Sequence, residues 1–254
     1  MGRFGWKPDR LDWRDQKLTP HPELVRRVAL PPAHDLRGQF MPPVYDQLNI
    51  GSCVCNSSAA AVDFERKAQG ESFLFPSRLW LYWVVRATED TPPDQDSGCE
   101  IRDAIKVLAA SGVPPESDWP YIESKFSVQP SAKAFVDAGA HKTLKYSRVT
   151  QQEYFLKHCM AILGRPVVFG ISCFSALESD EVAKTGDLPM PTPGEPPLGG
   201  HAIVLVGYDD SSKRFMFRNS WGVSWGNQGY GMIPYSYVTN PDLASDFWTI
   251  LAEE

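Results

Sequence analysis

Cysteine is scarce in this 254-residue chain, and the five present are an odd number, so at least one thiol has no partner within the chain. Their spacing matches neither a disulfide framework nor a zinc site. A reducing, cytoplasmic compartment is therefore the expectation, with secretion from a longer precursor as the alternative. Long apolar runs are missing as well. No stretch reaches the roughly 18 residues needed to span a bilayer, and Met1 to Trp13 has no apolar core of the kind a secretory leader carries. No membrane partner is expected. An excess of positive charge is also absent: the net charge of −6, with no dominant basic patch or recognition motif, argues against a nucleic-acid partner. The carboxylates between Glu89 and Gly98 lack the ligand spacing of a calcium loop, so that stretch is expected to be a solvated loop. Neither a metal nor an organic cofactor is implied.

The hydrophobic content of 43% over 254 residues is enough to bury one full domain or two tightly packed lobes. The chain is organised around Gln47 to Gln69, a loop that runs directly into a helix. Gly51 and Ser52 end the loop, small and apolar residues run from Val54 to Val62, and Gly70 offers a stop. Cys53 therefore falls in the first helical turn. Unpaired amides and the positive end of the helix dipole favour an anion there, which makes the thiol easier to ionise. Taken alone, a cysteine in such a helix is as well explained as a buried structural residue.

Residues 1 to 34 form a separate stretch. Seven Lys and Arg against four Asp and Glu give it a balance of +3, leaving −9 for the remainder. Prolines 8, 20, 22, 31 and 32 predict an extended path, and Phe4, Trp6 and Trp13 are its candidate anchors. Further on, Phe75-Pro76-Ser77 introduces an apolar helix through Leu79 and Trp83, and Ile101, Ala104, Ile105, Leu108 and Ala109 follow amphipathic helical spacing up to Gly112. Thr150 to Glu153 reads as a capping box opening a helix that ends at Gly164. Strands dominate afterwards: Val167 to Ile171, His201 to Tyr208, a hairpin turn at Asp209 to Lys213, Arg214 to Asn219, Tyr230 to Ile233, and Phe247 to Leu251. Helices early and antiparallel strands late make an α+β chain of two lobes. There are no internal repeats.

A thiol nucleophile needs a base, and the base needs a third group to orient it. Of the five histidines, His21, His34, His141 and His158 read as surface residues in polar or helical surroundings. His201 instead opens an apolar strand after Gly199-Gly200, where an imidazole needs a specific partner. Asn219 ends the returning hairpin strand eighteen residues later, at the end that lies beside the start of the His201 strand.

These residues resemble the papain family of cysteine peptidases over roughly 35 to 254. Gln47 lies six residues before Cys53. Gly200-His201-Ala-Ile-Val-Leu-Val-Gly-Tyr208 resembles the family's histidine strand, and Asn219-Ser-Trp221-Gly through Gly226, followed by Gly229-Tyr230, resembles its asparagine motif. The 148-residue interval from Cys53 to His201 lies within the roughly 130 to 150 expected. The short opening is more like bacterial members than like those with long prosegments. The resemblance implies a helical lobe of about 45–135 packed on an antiparallel, barrel-like β lobe of about 136–254, with the cleft between them. Residues 1 to 34 would be an extension lying over that cleft.

It also implies roles. Cys53 would attack the carbonyl of a peptide or protein substrate, His201 would hold the thiolate and protonate the leaving amine, Asn219 would orient the ring under Trp221, and Gln47 would join the Cys53 N–H in binding the oxyanion. Gly98, Cys99, Gly200 and Trp221 would meet the substrate, with Cys99 crowding the cleft. The family's half-cystine positions are Ile50 and Asp96 here, so that bridge is missing. Cys55, Cys159 and Cys173 read as small core residues. The expected activity is a monomeric cysteine endopeptidase. The alternatives are transglutaminase-like acyl transfer, against which Asn219 in place of an Asp speaks, and a non-catalytic binding protein on the same scaffold.

Overall fold

The computed structural model describes residues 4–18 and 28–253, and the expectation for His21 lies outside them. Helix α1, Cys53–Ala68, is the central element. Fourteen of its sixteen residues are buried, which a run of Ser and Ala from Ser57 to Ala61 allows, because small side chains let sheet and helix approach closely on several faces. Around it stand α2 (Arg78–Thr88), α3 (Ile101–Ala110) and α4 (Ala132–Ala138). Ser77 and Ser131 cap α2 and α4 by accepting from Trp80 N and Ala134 N, as N-cap serines do.

The second lobe is one eight-stranded sheet. Its strands are β2 (Lys17–Leu18), β3 (Ala33–Asp35), β5 (Thr143–Val149), β6 (Val167–Cys173), β7 (Gly199–Asp209), β8 (Arg214–Arg218), β9 (Tyr230–Pro234) and β10 (Ala244–Glu253). Their order is β2-β5-β10-β6-β7-β8-β9, with β3 paired to β7. Helices α5 (Glu153–Ala161), α6 (Asp180–Thr185) and α7 (Tyr235–Val238) decorate it. Helix α4 ends at Ala138 and β5 begins at Thr143. A separate two-stranded sheet joins β1 (Trp6–Lys7) to β4 (Cys99–Glu100) in parallel. Among the described residues no helix is long and apolar enough to cross a membrane.

Several sequence expectations need correction. The capping box at Thr150 does not form: Gln152 is the N-cap of α5 and makes no side-chain cap bond, because Glu153 pairs forward with Lys157 at 2.5 Å rather than back toward Thr150. His158 is buried at 5% exposure, not on the surface; its helix packs on the sheet through that face. The loop from Glu89 to Gly98 is solvated through its middle, where Asp90 and Pro92 to Gln95 are exposed, but its ends are anchored. The Glu89 carboxylate is buried, accepts from Glu100 N at 2.8 Å and pairs with Lys7 at 3.2 Å, while Arg86 holds the carbonyls of Pro93 and Gln95 at 2.8 and 2.7 Å.

Candidate active site

Helix α1 and strand β7 meet at the cleft. Ser57, one turn along from Cys53, donates its hydroxyl to the carbonyl of Ala202 at 3.0 Å, which ties the residue after His201 to the face that carries Cys53. Ser57 was not anticipated from sequence, although its i+4 spacing from Cys53 puts both on one helix face. Ser52, at the N-cap, spends its hydroxyl elsewhere, on Tyr121 (2.6 Å) and Asn56 (3.0 Å), and makes no bond to the first-turn amides. The positive end of the helix is thus left to act on the thiol.

His201 is fully buried in β7, opposite Ile171. Its Nε2 lies 2.8 Å from Asn219 Oδ1. The same oxygen accepts the Ser220 N–H at 2.8 Å, so it must be an acceptor and Nε2 must be the protonated nitrogen. Nδ1 of the neutral ring is then left with its lone pair, and it has no hydrogen-bond partner among the described residues. Trp221 covers the ring, with centroids 4.9 Å apart and planes tilted 33°. Gln47 is held at both ends of its amide. Its Oε1 accepts from Ser220 Oγ at 2.7 Å, and its Nε2 donates to Ile50 O at 2.9 Å. Ser220 thus orients both Asn219 and Gln47.

The N-terminal strand lies in this cleft. The Gly5 carbonyl accepts the Cys99 N–H at 2.8 Å. A Cβ on Gly5 would sit 1.9 Å from Gly51 O, and one on Gly98 would sit 2.0 Å from Gly5 O, so only glycine at both places allows this approach. The Trp6 indole fills a slot floored by Gly170, where a Cβ would come within 1.9 Å of the ring, and its backbone lies against Gly200. Phe4 stands 6.3 Å from the His201 ring and 6.4 Å from Trp221. Gly98, Cys99, Gly200 and Trp221 therefore all border the segment. Cys99 does not crowd the cleft. Its side chain is buried behind the strand with Sγ 3.9 Å from Cys55 Sγ, because only the backbone of β4 faces Gly5.

Other expectations for this segment fail. Trp13 is 93% exposed and anchors nothing. The acids of the segment are held by partners elsewhere in the chain, as its bases are. Asp9 meets Arg148 at 2.6 Å and Trp248 Nε1 at 2.8 Å, and Asp15 meets Arg102 at 2.9 Å. Residues 31 to 35 belong to the sheet: Tyr208 donates to Pro31 O at 2.8 Å, and β3 pairs with β7.

Enclosure determines the protonation of the pair. Burial pushes the Cys53 thiol up to about 12, against the lowering effect of the Ala202, Gly5 and Val54 amides. Burial also drives His201 down to about 4, against the raising effect of Asn219. Both groups are therefore neutral in this covered state. A folded-state value below the ordinary one makes His201 bind its proton later than an unfolded chain does. Its contribution to stability is complete above pH ~6.5 and is lost as pH falls toward about 4, by about 3 kcal/mol in all. Asp9 and Asp63, both raised to about 6 chiefly by burial, act with the opposite sign as they protonate. An NMR titration of the full chain is expected to find the His201 ring neutral at about pH 5.5; a midpoint at or above the ordinary value would contradict this account.

The family model of papain family cysteine proteases matches residues 30–246. The chain belongs to this family. It is 41% identical to xylellain, a cysteine protease from Xylella fastidiosa, whose crystal structure superposes with a TM-score of 0.90 over 97% of this chain and 95% of that one. A peptidase C1-like protein of Acanthamoeba polyphaga mimivirus is 40% identical over 213 residues, 81% of this chain and 68% of the viral protein. Chicken cathepsin K is 29% identical over 80% of this chain, which spans 58% of that relative. As a papain family member the protein is a thiol-dependent hydrolase of the α+β papain fold.

Proposed function

We propose that Cys53, His201, Asn219 and Gln47 hydrolyse peptide bonds within polypeptides, and that residues 4–7 hold the enzyme latent. The observation that carries the catalytic part is the shared Asn219 oxygen. By accepting from both Ser220 N–H and His201 Nε2 it leaves Nδ1 as the base. Once the cleft opens to water, the Cys53 proton moves to Nδ1 and the thiolate attacks the substrate carbonyl. The resulting oxyanion is held by the Cys53 N–H and the Gln47 amide, each such donor being worth on the order of 2.7–4 kcal/mol of barrier. His201 returns the proton to the departing amine, leaving a thioester on Cys53. His201 then takes a proton from water, whose oxygen attacks the thioester to release the acid and the thiol.

Asn219→Ala should reduce kcat by about a hundredfold or more while moving Tm by only a few degrees, since it frees the ring to rotate without emptying the core. Full activity in a stopped assay on this variant would mean that another group orients His201. An opened site should also show a bell-shaped dependence of kcat/KM on pH, its two limbs belonging to the coupled Cys53 and His201 pair. Labelling of Cys53 by an irreversible epoxide tests the nucleophile directly and separates a peptidase from a binding protein on the same scaffold.

Latency is supported by the fit of Gly5 between Gly51 and Gly98 and of Trp6 against Gly170. All five cysteines are free thiols, which supports a reducing compartment.

A further inference from the structure

Beyond Trp221 the cleft continues into a cavity of about 430 Å³, lined by Asp46, Leu48, Glu178, Asp180, Trp221 and Trp225 among others. Residues 4–7 lie along β4, Gly170 and Gly200 and are not among its lining residues. Asp46 and Leu48 flank Gln47, and Trp221 is the cover of His201. The cavity therefore adjoins both the oxyanion amide and the ring that delivers a proton to the leaving amine. The part of a peptide that departs with that amine must extend this way.

We propose that this cavity binds the leaving-group half of the substrate and selects a lysine or arginine there, in the first or second position after the scissile bond. The proposal rests on the peptidase reading above and adds a substrate class to it. Asp46, Glu178 and Asp180 give the cavity three carboxylates. The side chains of Glu178 and Asp180 make no hydrogen bond or ion pair among the described residues, and Asp46 engages only the Leu48 N–H, at 2.9 Å. Elsewhere this protein neutralises clustered acids carefully, as Arg148 does for Asp9, Asp15 and Asp246. Three unneutralised carboxylates around a concave surface raise the local concentration of cations.

The walls suit the same occupant. Leu48 is 41% exposed and offers apolar surface to the methylene stem of a long basic side chain, while Trp221 presents a ring to a guanidinium or ammonium. Trp225 is 6% exposed, and its indole N–H has no partner among the described residues, which leaves a donor for a peptide carbonyl entering the cavity. An apolar side chain would desolvate the carboxylates without compensation, and an acidic one would be repelled. Asp180 opens α6, where an acid also favours the helix dipole, but Glu178 precedes the helix and has no such role.

The test uses the full chain and internally quenched peptides with an identical acyl half, differing only in carrying Arg, Lys, Gln or Glu in the two positions after the scissile bond. The fraction of chains with a covered cleft cancels in ratios of kcat/KM measured on one protein. Arg and Lys peptides should exceed Gln by about tenfold, the size expected of two partly exposed ion pairs, with Glu below Gln. The ratio should shrink as salt is raised and approach one in the Glu178→Gln/Asp180→Asn variant. Equal rates for Arg and Gln, or a preference that survives in that variant, would overturn the proposal while leaving the peptidase reading intact. Failure of both the full chain and its Phe4→Ala/Trp6→Ala variant to cut any of the four peptides would overturn the peptidase reading and this proposal with it.

Discussion

Replacing Phe4 and Trp6 together by alanine is expected to raise kcat/KM on small peptide substrates by at least tenfold, and to make Cys53 react faster with alkylating agents at neutral pH. The reasoning starts from apolar burial. An indole that fills its slot, as Trp6 does at 8% exposure, contributes about 2–3 kcal/mol, and Phe4 adds a smaller amount. A segment tethered by a short linker competes at an effective concentration on the order of millimolar, so weakening its grip converts directly into open sites. Opening returns water to the pair and removes the burial that keeps both partners neutral. The substitution is a cleaner experiment than deleting residues 1–34, because that deletion would also remove part of β3, which pairs with β7, and would leave Arg102 without its Asp15 carboxylate and Arg148 with Asp246 alone. If the double variant melts lower and gains no activity, the segment is a strap and not a cover.

Cys53→Ala is expected to reduce kcat/KM by on the order of 10⁶, the scale seen when the nucleophile of a hydrolytic triad is removed, whereas Cys55→Ala should keep most of the activity. Residues two apart on a helix point about 200° apart. Cys55 accordingly faces Cys99, not His201. The contrast matters because both thiols are buried and both sit in the first turn. Mass spectrometry after epoxide treatment should find the adduct on Cys53, and an adduct on Cys55 would unseat the assignment together with the oxyanion role of Gln47.

How far these features could be read from the sequence depended on whether their cause was local. Cys53 in the first turn of a small-residue helix, His201 at the head of an apolar strand and Asn219 at the end of its hairpin partner all follow from periodicity and turn chemistry, which act over a few residues. What escaped was set by distant partners. Nothing within ten residues of Glu89 indicates that its carboxylate is buried under Lys7 and the Glu100 amide, and nothing near Trp13 shows that it is left in solvent while Trp6 is not. The slot for Trp6 exists only because Gly170 and Gly200, on neighbouring strands, both lack side chains. In the N-terminal stretch, likewise, a net balance summed over residues does not show that Asp9 and Asp15 each meet an arginine from another part of the chain.

The joint between Ile50 and Asp96 shows what an enzyme gains by leaving out a covalent link. A disulfide next to a nucleophilic thiol must survive the same reductants that keep the nucleophile from oxidising. Here the Asp96 carboxylate takes the Gly51 N–H at 2.9 Å and is braced by the Tyr82 hydroxyl, so the loop ahead of Cys53 is held by acceptor and donor alone. Thiols at any concentration leave that contact unchanged. A preparation kept in strong reductant should therefore hold its loop geometry and its full complement of titratable Cys53 indefinitely, a regime in which a bridged active-site loop would come undone.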